Sequence, residues 1–159
     1  MKTELTPGGF ARLGAVIGEI EDTAWDCATL DWDGTALDSA ALGCSAGDKA
    51  MFLNIAGEAR KLRQTLSESA AAARCGARGD SNMKTELMPG GFARMEAGIQ
   101  AIENLAWDSA ALDTNTAVKA MFQKIAGEAR RLRQTLREST VFVPPEPARA
   151  ARTSRTETA

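Results

Sequence analysis

Apolar residues recur every three or four positions in four separate stretches of the chain, which is the spacing of helices that bury one face. The first and third stretches carry equivalent stripes: Phe10, Leu13, Ile17, Ile20 and Ala24, and Phe92, Met95, Ile99, Ile102 and Ala106. The second and fourth carry Phe52, Ile55, Ala59, Leu62 and Leu66, and Val118, Phe122, Ile125, Ala129, Leu132 and Leu136. The pattern predicts four amphipathic helices.

These four helices come from a tandem duplication. MKTELTPGGFAR returns as MKTELMPGGFAR, and KAMFLNIAGEARKLRQTL returns as KAMFQKIAGEARRLRQTL. Equivalent positions lie 82 apart in the first half of the unit and 70 apart in the second half, so the second copy lacks twelve residues between its helices. The sequence therefore predicts one helical hairpin in residues 1–69 and another in residues 83–140.

The predicted fold is all-α, with two tandem antiparallel hairpins in a four-helix bundle-like arrangement. An acidic loop at 31–47 interrupts the first hairpin and ends with Ser45 and Asp48 at the spacing of a capping box. Residues 70–82 are predicted to form a linker, although Ala70 to Ala73 could extend the preceding helix. The proline-containing segment 141–159 is predicted to be a disordered tail. The pattern leaves open whether the hairpins pack on each other or exchange between chains.

Composition narrows the range of partners and locations. The net charge is −2 and the pI about 5.3, which argues against a generally basic nucleic-acid-binding protein. The sequence contains neither an apolar run of roughly eighteen residues nor a signal-peptide stretch, so we expect a cytoplasmic protein without a membrane partner. Its three cysteines, Cys27, Cys44 and Cys75, are predicted to be free thiols.

The usual catalytic groups are missing. The chain has no histidine and no tyrosine, which removes the commonest general base, and its glycine motifs follow no predicted strand. Glu21, Glu58, Glu103 and Glu128 border the apolar stripes as in di-iron bundles, but those sites also need histidine, so we interpret them as boundary glutamates paired with lysine or arginine. We therefore predict no catalytic residue, no metal and no cofactor.

One short motif suggests a different chemistry. The segment LDWDGTALDSA, residues 30–40, resembles the first motif of the haloacid dehalogenase superfamily. The resemblance implies a magnesium-dependent phosphatase with Asp31 as nucleophile and Asp33 as acid/base. That family places the motif after a buried strand, whereas here it follows an amphipathic helix. We therefore interpret the segment as a solvated acidic loop and keep phosphatase chemistry as a remote alternative.

The leading functional interpretation is a non-enzymatic interaction or scaffold protein that binds another protein through an outer helix face, and we expect it to form a homo-oligomer. Gly57 and Gly127 lie mid-helix and away from the stripes, where another helix could approach closely. Trp25 and Trp107 lie near the end of the first helix of each copy. We expect these rings to cover the end of the hairpin core, with an exposed recognition anchor as the alternative.

A basic stripe supports an alternative function. Lys119, Arg130, Arg133 and Arg137 fall within about sixty degrees of one another on a helical wheel, and the first copy keeps Lys49, Arg60 and Arg63. Such a stripe could follow a phosphate backbone, although no aromatic residues interleave with its arginines. Nucleic-acid binding is therefore the alternative function, although such a stripe is more often simply a solvated helix face.

Overall fold

Four helices make up most of the chain that the structure describes. The computed structural model describes residues 2–6, 8–29, 44–76 and 85–144. The helices are α1 (Gly9–Thr29), α2 (Ala46–Gly76), α3 (Gly91–Leu112) and α4 (Thr116–Ser139). The prediction of an all-α fold with two tandem hairpins is confirmed. Asp31 and Asp33, on which the phosphatase alternative depends, lie outside the described residues.

The two hairpins close on each other within one chain. Within each hairpin the two helices pack together, and between hairpins α1 contacts α4 while α2 contacts α3. The helices therefore form a ring in chain order. Both hairpins begin at the same end of the bundle, since the strands that precede α1 and α3 pair there, so neighbouring helices run antiparallel.

A single apolar core lies inside this ring. Every residue of the α4 stripe is buried, and so are the stripes of the other helices apart from the half-buried Phe10 and Phe92. At the centre, the rings of Phe52 and Phe122 stack with centroids 4.2 Å apart. Burial of these side chains from all four helices supplies the main driving force for the fold.

A small sheet at one end of the bundle is the main feature that the sequence analysis missed. Its strands are β1 (Lys2–Leu5), β2 (Thr85–Leu87) and β3 (Thr140–Val143), in the antiparallel order β2-β1-β3. The prediction of a disordered tail from residue 141 onward is therefore wrong for 141–143, which form most of β3. Strands of three or four residues are too short to show alternation, and these form only because their partners lie far away in the sequence.

Two consecutive glycines in each copy, Gly8–Gly9 and Gly90–Gly91, lie where the strand ends and the helix begins. Gly8 and Gly90 adopt the left-handed conformation, with φ of 82° and 75°, which glycine adopts without strain. Gly9 is the first residue of α1, and a Cβ atom placed there would lie 2.7 Å from the Cβ of Ser139. The first glycine of each copy thus suits the backbone conformation, whereas close packing against the end of α4 requires the second glycine only in repeat one, since a Cβ atom at Gly91 would lie 3.5 Å from its nearest neighbour, Leu87 Cβ.

The helix boundaries agree with the sequence in one place and differ in another. Ser45 and Asp48 form the predicted capping box: the Ser45 backbone N–H donates to Asp48 Oδ2 at 2.7 Å, and the Asp48 N–H donates to Ser45 Oγ at 3.2 Å. By contrast, α2 continues to Gly76. The predicted extension through Ala73 is confirmed, and the linker begins later than residue 70.

The two repeats are related by an approximate twofold axis. In the pairing of β1 with β2, Glu4 lies opposite Glu86, its own equivalent in the second copy. Thr3 pairs with Leu87, and the pair obtained by exchanging the two repeats, Leu5 with Thr85, is also present. Phe52 and Phe122, which stack in the core, are also equivalent residues. The chain therefore folds as two copies of one unit, each completing the other.

Candidate interaction surface

Each repeat carries the same four-residue group on the outer side of its hairpin, which we call the Trp–Arg cluster. A glutamate and a tryptophan come from the first helix, and two arginines come from the second. The members are Glu21, Trp25, Arg60 and Arg63 in repeat one, and Glu103, Trp107, Arg130 and Arg133 in repeat two.

A buried carboxylate lies at the base of each cluster. Glu103 is only 6% exposed; Arg130 Nη2 lies 3.2 Å from its Oε1 atom, and Arg133 forms an ion pair with Oε2. In repeat one Glu21 forms the same two ion pairs, at 3.2 Å to Arg60 and 3.0 Å to Arg63. A carboxylate removed from water needs such partners. The prediction of boundary glutamates paired with basic residues is confirmed.

The tryptophan of each cluster is exposed and covered on one side by an arginine. Trp25 is 47% exposed and Trp107 is 41% exposed. The guanidinium carbon of Arg60 lies 5.9 Å from the Trp25 ring centroid, and that of Arg130 lies 5.8 Å from the Trp107 centroid. These distances suit a cation–π contact. The expectation that the tryptophans cover the hairpin core is wrong, since both rings lie on the outer surface.

The predicted basic stripe lies along the groove between α3 and α4, where acidic residues of α3 meet it. Arg130 and Arg133 bind Glu103, and Arg137 Nη2 lies 2.7 Å from Glu96 Oε1. Within the described part of the chain, Lys119 and its equivalent Lys49 form no ion pair. Two carboxylates thus face the four positive charges of this stripe, so half of its charge is matched inside the hairpin and half is left to attract an anionic partner.

The two mid-helix glycines face outward, as the helical wheel predicted. An ideal Cβ at Gly57 or Gly127 would have no neighbouring atom within 4 Å. Near Gly127 on the same helix, Arg131 reaches across to Glu19 of α1 at 3.8 Å. The glycines therefore lie on the outermost strip of each second helix, beside the Trp–Arg cluster.

A cavity of about 420 Å³ opens at the end of the bundle away from the sheet. Two of the residues that line it are aspartates, and both hold local backbone: Asp48 in the capping box and Asp113, whose Oδ1 accepts the Asn115 N–H at 2.7 Å. Among the residues that the structure describes, no three histidine, cysteine, aspartate or glutamate side chains come together as metal ligands.

Two thiols near this end have raised pKa values. Burial, with a contribution from Asp26, raises the pKa of Cys27. Burial and the carboxylate of Asp48 raise the pKa of Cys44 to about 11. A thiol with a raised pKa holds little thiolate at neutral pH and is a poor nucleophile. The side chain of Cys75 lies outside those described.

Comparison with known proteins adds no relative: no protein-family model, no curated protein and no solved structure matches this chain. Of the helices described, none combines the length and apolar character needed to cross a bilayer. The proposed function therefore rests on the residues of the surface described above.

Sequence reasoning named every arginine and tryptophan of the clusters but did not join them. The arginines were assigned to one basic stripe, and the tryptophans were expected separately to cover the end of the hairpin core. A signal was present, because Glu103 and Arg130 each flank an apolar stripe on helices of one hairpin, so that antiparallel pairing brings them to the same groove.

Proposed function

We propose that this chain is a non-enzymatic helical scaffold that binds another protein through the outer faces of its hairpins. The observation that carries the proposal is the Trp–Arg cluster, which combines a half-exposed tryptophan with an arginine held over its ring. Tryptophan and arginine are the residues most enriched among binding hot spots, because they contribute large contact area and directed hydrogen bonds.

The clusters have the rigidity that a binding surface needs. Arg60 and Arg130 are each fixed by an ion pair to a buried glutamate, yet their side chains remain 67% and 65% exposed. A partner therefore meets side chains that are already ordered, which lowers the entropy lost on binding.

The ring order of the helices gives the scaffold two binding faces. The outer groove of α1 and α2 lies across the bundle from the outer groove of α3 and α4, and each carries one cluster. One chain could then hold two copies of the same partner. Multivalent engagement of this kind raises apparent affinity without new contacts.

Affinity capture with tryptophan variants tests the proposal. Trp25→Ala and Trp107→Ala, made singly and together, remove the exposed rings without touching the core. We expect the single variants to retain about half of the partner bound per chain and the double variant to retain none. Quantitative mass spectrometry of the captured proteins measures this ratio, and circular dichroism checks the fold.

Leu53→Ala is the matched control, since Leu53 is 46% exposed but lies outside the clusters. Its equivalent in repeat two is already glutamine, so its loss should leave capture unchanged. Capture that is insensitive to both tryptophans contradicts the proposal. Retained nucleic acid that is released by moderate salt would instead support the basic-stripe alternative.

A further inference from the structure

Repeat two contains both halves of the interface that holds this bundle together. In the chain, α3 packs against α2 of the other repeat. Every apolar residue that α2 buries has an identical, buried equivalent in α4. These pairs are Phe52 and Phe122, Ile55 and Ile125, Ala56 and Ala126, Ala59 and Ala129, Leu62 and Leu132, and Leu66 and Leu136.

A close contact between the hairpins would therefore be reproduced by a second copy of repeat two. A Cβ atom on Gly98 of α3 would lie 2.7 Å from Leu62 Cδ2, so glycine here admits the leucine of the neighbouring helix. In a pair of two repeat-two hairpins, Leu132 would enter the same space.

The sheet supports the same pairing. Glu4 lies opposite Glu86, and both strands read Thr-Glu-Leu, so β2 can pair with a second β2 in the register that it uses with β1. In the chain β3 lies beside β1, and the corresponding segment of repeat one, from Ala70 onward, is helical. Two copies of repeat two would supply two β3 strands and complete a symmetric sheet of four.

We propose that the second repeat is a self-complementary module whose partner is the second repeat of another molecule of this chain. In the intact chain repeat one occupies this interface. Loss of repeat one's fold would open it and let two chains join through their second repeats.

The full-length chain with Ile17→Asp and Ile55→Asp tests this directly, because both isoleucines are fully buried in repeat one. A charge at either site disrupts that hairpin. We expect light scattering to give twice the monomer mass of 16.8 kDa, whereas the unsubstituted chain stays at its own mass. Adding Ile99→Asp and Ile125→Asp should return the mass to that of one chain.

A cysteine at the twofold axis distinguishes this dimer from nonspecific association. In the repeat-one-disrupted chain, with the three native cysteines replaced by serine, Glu86→Cys would face its own copy across β2. We expect it to give a disulfide-linked dimer with oxidised glutathione. Glu4→Cys, the equivalent position in repeat one, should give none, and neither variant should link chains when repeat one is intact.

A repeat-one-disrupted chain that is monomeric or polydisperse overturns the proposal. So does a dimer in which Glu86→Cys and Glu4→Cys cross-link equally, because association would then not follow the register of the sheet.

Discussion

The two repeats bury almost the same side chains, yet their outer grooves differ. Repeat two carries Glu96 and Arg137, which form an ion pair at 2.7 Å, and repeat one has Gly14 and Ser67 at those positions. Because the copies are so similar, a residue that both copies share is weak evidence that the protein requires it. A difference at both partners of one contact is more informative. Both partners of this contact differ between the copies, so the equivalent positions of repeat one, Gly14 and Ser67, cannot form this ion pair.

A second difference lies at the end of each hairpin. After the equivalent serines Ser69 and Ser139, repeat two turns into β3 whereas repeat one continues as helix to Gly76. Local preference agrees with this outcome, because alanines favour helix and the sequence Thr-Val-Phe-Val favours strand, but β3 forms only by pairing with β1. Similar hairpins can thus end differently without disturbing the common core.

The largest expected effect of a substitution concerns the core, to which the two repeats contribute equivalent side chains. Phe52→Ala and Phe122→Ala each remove one ring of the stacked pair on the twofold axis. We expect each to lower the free energy of unfolding by about 3–5 kcal/mol, since the bundle cannot close over the space left behind. Urea denaturation measures both values. A difference of more than about 1.5 kcal/mol between them would show that the repeats do not share the core equally.

Gly98 offers a sharper, one-sided test. Repeat one has Val16 at the equivalent position, but Gly98→Val would force its side chain against Leu62. Overpacking of this kind costs about 1–3 kcal/mol. Gly127→Val is the matched control, because that position opens to empty space. Equal denaturation midpoints for the two variants would argue against close packing at Gly98.

The outward glycines should behave oppositely. Gly57→Ala and Gly127→Ala add a methyl group where no atom lies within 4 Å, so only helix propensity changes. We predict a stability increase of about 0.5–1 kcal/mol for each. Thermal unfolding followed by circular dichroism measures it. A loss of stability at either position would mean that the strip is covered in solution.

The smallest expected effect concerns the ion pair found only in repeat two. A double-mutant cycle with Glu96→Gln and Arg137→Gln should give a coupling energy of about 0.2–1 kcal/mol, because Arg137 is largely exposed. The same cycle after introducing Gly14→Glu and Ser67→Arg in repeat one should give a similar value. A coupling in repeat two alone would show that the grooves differ in backbone geometry as well.

Local sequence determined the helices of this protein. Periodic apolar positions placed all four helices, and the capping box fixed the start of α2, because each signal acts within a few residues. The pairing of Glu21 with Arg60 was within reach of the same reasoning, since both flank stripes that an antiparallel hairpin brings together.

The tertiary structure decided everything that depends on residues distant in the chain. The sheet joins β1 of repeat one with β2 and β3 of repeat two, where β3 directly follows α4. Strands so short have no stability of their own. The ring order of the helices, and with it the exposure of Trp25 and Trp107, follows from how two nearly identical faces meet. Periodicity shows that a face is apolar, but the identity of the surface that covers it is a property of the whole fold.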